Sequence, residues 1–382
     1  MTVTAAEALR MREAVCALFG LPEHEARTAW RSMATCPTVA VDFFLRIERC
    51  ALALRVRLAE YRLTQETPPA LMDIVSAQAM RELQRSLSAQ AQLHRIARLV
   101  DEHDWKVVVL KGGVTIATGG QVDVQDVDVL MEATDGATLA RLLDTSGYTT
   151  SHLHPLHHLS PRYTSETVAI EIHQTIPGMP EAQTLMDRAV RIDAIPGLWR
   201  LSQADHIWHM LIHATLQHPE RRGNLRDVTM LARAVDDCPP EDLAMVLAQI
   251  EAHPEAPVLR ATIGLARAFR AKQFTADPFA ESMLRKYTFC QRYDRRSNQV
   301  RERAVRLLSG DRSLVRALRE DLALTNEIPS VLGPLNRLNR RVPWLALLIR
   351  QGLRLGRLAL VAGLAAQNAW DVHRVARRWR EA

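Results

Sequence analysis

Two carboxylates spaced to share one face of a strand follow a lysine–glycine–glycine turn in the stretch Lys106–Asp128, which reads KVVVLKGGVTIATGGQVDVQDVD. Asp126 and Asp128 are separated by Val127 and flanked by Val124, Val129 and Leu130. Side chains two apart on a strand project to the same side, so both carboxylates face one way while Val127 faces the core. Like charges this close raise one another's pKa unless a cation lies between them. A hard divalent ion, held by carboxylates and by substrate phosphates, suits that arrangement. Lys111 is one of four lysines in the chain, with Lys106, Lys272 and Lys286. Gly112 and Gly113 beside it permit a sharp turn and a close approach of backbone to ligand. A third acid comes in Val168-Ala169-Ile170-Glu171-Ile172-His173. There Glu171 projects from an otherwise apolar strand, and His173 shares its side.

Strand, glycine pair, helix, strand with Asp-x-Asp and strand with a lone acid resemble the nucleotidyltransferase fold of the DNA polymerase β superfamily. The closer resemblance is to the bacterial family labelled uncharacterised nucleotidyltransferase. Its members read Leu-Leu-Lys-Gly, then Asp-Ile-Asp-Leu-Leu-Val, then Gly-Tyr, then Glu-Ile-His. This chain has Val109-Leu110-Lys111-Gly112, Asp126–Leu130, Gly147-Tyr148 and Glu171-Ile172-His173 in that order. One departure is Val122, where the family often carries an arginine that contacts phosphate. The resemblance implies an α+β fold class: a small mixed-sheet nucleotidyltransferase core, polymerase β-like, embedded in N- and C-terminal helical regions. It also implies an NTP as donor and Mg²⁺ or Mn²⁺ as cofactor. Asp126 and Asp128 would hold the metal, and Glu171 would complete a second metal site or activate an acceptor hydroxyl. Lys111, Gly112 and Gly113 would meet the β- and γ-phosphates.

Other clusters carry less. His152, His154, His157 and His158 lie close together ahead of Arg162. With no Cys or acid beside them, a loop over the active site, with Arg162 touching phosphate or acceptor, is the better reading than zinc. Ser202-Gln203-Ala204-Asp205 opens a helix as a capping box. His206, His209 and His213 then share a helical face, but Met210 stands where H-E-x-x-H needs its glutamate. The family commonly has a histidine on this helix and an Arg-Asp at the start of the next, here His213, Arg226 and Asp227. Two readings stand: a wall contacting base or acceptor, or a buried polar pair pinning two helices. His173 likewise reads as an acceptor-side group or as a hydrogen-bonded structural histidine. No G-x-x-x-x-G-K-[ST] occurs, which disfavours P-loop chemistry.

The elements that must position these residues divide the chain into four regions. Residues 1–103 form a helical cap, with helices over Glu7–Phe19, Thr38–Tyr61 and Pro68–Glu102 and a core stripe of Phe43, Phe44, Ile47, Ala51, Leu54 and Val56. Residues 104–178 are the catalytic core, and 179–330 a helical domain. Residues 331–382 are basic amphipathic helices in which Arg350, Arg354 and Arg357 line an apolar run. That pattern suits a peripheral membrane surface or a protein partner, while Arg292–Arg306 would suit RNA, a partner less favoured than NTP. The formal charge is +6, but from Arg337 onward ten arginines face two acids, so residues 1–336 sum to about −2 and the catalytic region is not basic. Five scattered cysteines without C-x-x-C spacing, together with the lack of a signal-peptide pattern or an eighteen-residue apolar run, point to the cytoplasm, with the membrane periphery open through the C-terminal helices. The function expected is metal-dependent transfer of a nucleoside monophosphate to an unidentified hydroxyl acceptor. A catalytically inactive nucleotide-binding or scaffolding protein is the alternative.

Overall fold

In the computed structural model, residues 4–146, 148–151, 162–165, 168–218 and 221–293 are described. The chain forms two compact units, Met1–Ala280 and Glu281–Ala382. Of the second, the description covers one helix, Ala280–Tyr293. The His152–His158 loop, the arginine run from 294 to 306 and the basic C-terminal helices lie outside the described residues.

The first unit opens with five helices, α1 (Ala5–Gly20), α2 (Glu23–Arg31), α3 (Thr38–Glu48), α4 (Ala51–Glu60) and α5 (Pro69–His103). Thr38–Tyr61, read as one helix, is broken at Arg49, which takes the left-handed conformation at φ 53°, ψ 44°. The break resets the helical phase, and Val56, counted with the core stripe, ends up 50% exposed. Buried charge holds the break open. Glu82 of α5 accepts the amides of Ala51 and Leu52, the first free donors of α4, at 3.1 and 2.7 Å. These N–H groups have no partner within their own helix. Glu48 accepts Arg12 of α1 at 3.2 Å and the amide of Leu225 at 2.7 Å. The other edge of Arg12 reaches Asp277 at 2.6 Å.

After α5 come β1 (Val107–Val109), α6 (Gly112–Ala117), β2 (Asp126–Leu130), α7 (Ala133–Thr145), β3 (Thr149–Ser151), β4 (Arg162–Ser165) and β5 (Val168–His173). The sheet does not stop at 178. It gains β6 (Val190–Arg191) and β7 (Leu198–Arg200) after the short helix α8 (Ala182–Asp187), giving the order β3-β4-β5-β2-β1-β7-β6. β2 runs parallel to β5 and antiparallel to β1, and β1 runs parallel to β7. This mixed sheet within helices is an α+β architecture.

Alternation sorts the sheet into two faces. Val107, Val109, Val127, Val129, Ile170 and Ile172 pack with Leu93 and Ile96 of α5 and Leu139 and Leu143 of α7. The opposite face is apolar at Val108, Leu110 and Leu130, which pack on Ile176, Leu185 and Leu201. Asp126, Asp128, Glu171 and His173 fall on that second face by the same alternation. Four helices complete the unit: α9 (Gln203–Ile212), α10 (Leu225–Asp236), α11 (Pro240–Ala252) and α12 (Ala256–Ala271).

Arg12 is fully buried between two carboxylates, so Arg12→Ala should strand both Glu48 and Asp277 in the interior. Breaking a buried ion pair by removing one partner costs about 3–5 kcal/mol. The urea midpoint is expected to fall accordingly; a shift within error would mean that water replaces the guanidinium at no cost.

Candidate active site

The parallel pairing of β2 with β5 sets Asp128 directly opposite Glu171, Asp126 opposite Ala169 and Leu130 opposite His173. One carboxylate therefore comes from each strand at the same level. Asp128, Glu171 and His173 are all buried. One ligand atom from each lies within 4.8 Å of the others. Asp126, two residues back along β2, is half-buried and lines the adjoining cleft.

Burial alone would raise the pKa of Asp128, yet two partners hold it far below the usual carboxylate range. Lys111 Nζ donates to Oδ1 at 2.9 Å and His173 Nε2 meets the same oxygen at 2.7 Å. An ionised carboxylate only accepts, so Nε2 carries the hydrogen. His173 Nδ1 is then left buried without a hydrogen-bond partner among the described residues.

Lys111 reaches Asp128 from an unusual backbone. The Gly113 amide donates to the Leu110 carbonyl at 3.1 Å, closing a tight turn with Lys111 at its first corner, φ 50°, ψ −130°. Glycine is the ordinary occupant of that region, and another residue there costs about 1–3 kcal/mol. The two glycines that follow are packed as well as bent. A Cβ on Gly112 would lie 2.6 Å from Val124 Cγ1, and one on Gly113 would lie 2.7 Å from Val109 Cγ1. The turn thus sits close against the strands, with Gly112 lining the cleft.

Beside these groups lies a narrow cleft with about 40 Å³ of free volume. It is lined by Lys111, Asp126 and Asp128 together with Arg49, Asp123, Arg221, Arg226 and Asp227. Asp227 and Arg226 pair with each other at 2.5 Å, and Arg226 Nη1 also donates to the Asp123 carbonyl. Burial would raise the Asp227 pKa, but Arg226, with Arg221 and Arg49 beyond, holds it below the carboxylate norm. Its Oδ2 has no hydrogen-bond partner among the described residues.

His213 lines the cleft at the start of a π-helical turn, His213–Gln217, that continues α9, and its Nδ1 lies 3.1 Å from Gln217 Oε1. The Ser202 hydroxyl accepts the Asp205 amide, while the reciprocal contact goes to the hydroxyl rather than the Ser202 amide. Behind the cleft, His206 and His209 are buried. Burial, with Arg200 adding, pushes His206 down to about 4; burial, then Lys111, holds His209 well below its ordinary value. The backbone of Arg162 on β4 pairs with Glu171, while its side chain is outside the described residues.

Of the residues read from the sequence, Lys111, Asp128, Glu171 and His173 come together. Gly112, Asp126, His213 and Asp227 line the cleft beside them. Sequence reasoning missed Arg49, Asp123 and Arg221. Glu48 and Arg49 continue an apolar helical run at positions four beyond Phe44 and Leu45, and charge in a core stripe was the available signal.

Carboxylates from parallel neighbours facing a lysine–glycine turn define a nucleotidyltransferase core. Residues 45–271, more than half of the chain, match the family described as uncharacterised nucleotidyltransferase, and the chain belongs to that family. It is accordingly a transferase. No curated protein matches it. Among solved structures it is similar to ANT(2")-Ia in complex with adenylyl-2"-tobramycin, at 14% identity and a TM-score of 0.28 over 49% of this chain and 99% of that one. A likeness of that size adds nothing to the assignment.

Two substitutions separate the charge of Lys111 from its backbone. Lys111→Ala and Lys111→Gly both remove the ammonium, but only glycine is at ease in this turn. The glycine variant should be the more stable by about 1 kcal/mol, the strain relief being offset in part by glycine's greater freedom when unfolded. Equal thermal midpoints would show that the corner is unstrained.

Proposed function

We propose that this protein transfers a nucleoside monophosphate from an NTP to a hydroxyl acceptor in a reaction that needs a divalent metal ion. The observation that carries the reading is the convergence of Asp128, Glu171 and His173 within 4.8 Å on the sheet face that also bears Asp126. The carboxylates of this set fit a divalent ion, since carboxylate oxygens suit Mg²⁺ or Mn²⁺. Asp126 and Asp128 would hold the ion, with Glu171 beside them. When bound, it neutralises charge on the phosphates and orients them.

The protein's own groups do the rest. Lys111 places a positive charge at Asp128 and, once that carboxylate has another partner, can turn to a phosphate oxygen. The turn at Gly112 and Gly113 brings backbone close to the donor. Glu171, buried and level with Asp128, takes the hydrogen of the acceptor hydroxyl. The acceptor oxygen bonds to the α-phosphorus, the α–β bridging bond breaks in line, and pyrophosphate carries off the electron pair. His173 holds Asp128 in place, and His213 and Asp227 line the space for base or acceptor.

Titration of each NTP with Mn²⁺ tests this. One NTP should bind to the wild type, with affinity falling at least tenfold in Asp126→Ala/Asp128→Ala. Glu171→Gln should retain NTP while losing pyrophosphate release by two orders of magnitude or more, the usual scale for a general base. Wild-type protein that binds no NTP under any metal condition would sink the reading.

A further inference from the structure

The cleft also carries a group of arginines, Arg49, Arg221 and Arg226, that the chemistry above does not use. Around Asp123 and Asp227 stand four guanidiniums, those of Arg49, Arg85, Arg221 and Arg226, and Arg226 also feels the charge of Asp126. Asp123 is 1% exposed and takes Arg49 Nε on Oδ2 and Arg85 Nε on Oδ1, both at 2.5 Å. Asp227 Oδ1 takes both Nε and Nη2 of Arg226. Two cationic groups are left incompletely used. Arg49 Nη2 is buried and has no hydrogen-bond partner among the described residues. Arg221 has no carboxylate within ion-pair distance among the described residues, though it is near enough to Asp227 to lower its pKa.

Elementary electrostatics disfavours this wall when nothing is bound. A buried donor left without a partner is destabilising, the more so when it is charged. Burial first, then the neighbouring Arg226 charge, pushes the Arg49 pKa down to about 10, where the guanidinium is still charged at neutral pH. The backbone is committed to the arrangement as well, because Arg49 sits in the left-handed conformation at the α3–α4 break, away from the helical φ of its neighbours. With its Nε fixed on Asp123, the planar guanidinium presents its remaining edge in a set direction. Guanidiniums match phosphate oxygens in this way.

We infer that Arg49 and Arg221 form a phosphate-binding wall of the cleft that Asp126 and Asp128 also line, apart from the Lys111–Gly113 turn. The inference deepens the transferase reading and rests on it for the identity of the ligand, though not for the binding itself. The phosphate is either the tail of the donor NTP or a phosphate carried by the acceptor. Asp227 Oδ2, an acceptor, repels an anion, so the phosphate settles on the Arg49 and Arg221 side of the wall. Arg226 acts by neutralising Asp227.

The test titrates inorganic tripolyphosphate, without metal, into wild type, Arg49→Gln and Arg221→Gln. A charge-assisted contact corresponds to roughly a tenfold to hundredfold loss of affinity on removal. Both variants should show a loss of that order, and wild-type binding should weaken steeply with salt. Arg221→Gln breaks no ion pair seen among the described residues, so its thermal midpoint should match wild type even if Arg49→Gln is destabilised by freeing Asp123. Repeating the titration with Mn²⁺ and the bound NTP separates the sources. Competition assigns the wall to the donor's phosphates, and simultaneous binding assigns it to a phosphorylated acceptor. If no NTP binds yet tripolyphosphate binds through Arg49 and Arg221, the wall stands and the transferase reading fails. Equal affinity in all three proteins, or no tripolyphosphate binding to wild type, overturns the wall.

Discussion

Everything at the heart of this molecule follows from placing negative charge on a buried sheet face. Asp128 is almost fully enclosed, and an isolated carboxylate there would be protonated rather than charged. Lys111 and His173, both on the same oxygen, keep it ionised. That requirement explains why a lysine occupies a turn corner suited to glycine, and why the glycines after it press against Val124 and Val109. Backbone strain and tight packing are the cost of a carboxylate that stays charged in the interior. A site built to receive a divalent cation needs that same property, since only the charged form ligates one.

The helices extend this logic outward. Arg12 buried between Glu48 and Asp277, and Glu48 holding the Leu225 amide, lock α1, α3 and α10 into one frame. The frame fixes the α3–α4 break, which delivers Arg49 to the cleft, and the start of α10, which delivers Arg226 and Asp227. The cationic wall is thus an outcome of how the helical frame is pinned, just as the carboxylate floor is an outcome of strand register. Register is the stricter of the two. A one-residue slip between β2 and β5 would turn Glu171 to the other side of the sheet.

Much of the floor was legible in the sequence because it depends on local patterns. Alternation along Asp126–Leu130 and Val168–His173 gives facing directly, and the lysine–glycine turn is marked by its own residue types. The wall was not legible, because it depends on a helix break without glycine or proline. Arg49 adopts its left-handed conformation because the α4 amides find Glu82, thirty residues away in sequence, and local propensity carries no trace of that. The last two strands, Val190–Arg191 and Leu198–Arg200, were missed for a related reason. They are two and three residues long, too short to establish a period, and β7 is specified by its parallel pairing with β1. The reading of Arg226 and Asp227 as a pin between helices assumed that buried charges pair across elements; these two pair with one another as neighbours on α10, and Arg226 Nη1 also donates to the Asp123 carbonyl.

The central claim is that the Asp126–Asp128–Glu171 face is a divalent metal site that operates with an NTP. Electron paramagnetic resonance of Mn²⁺ tests it most directly, because free and protein-bound ion give separate signals. With the NTP present, wild-type protein should remove about one to two equivalents of Mn²⁺ from the free signal, as expected for one or two metals at such a site. Asp128→Asn should leave the signal close to that of Mn²⁺ with NTP alone. Equal uptake by wild type and Asp128→Asn would contradict the account, because the buried carboxylate around which the site is built would then have no part in holding the ion.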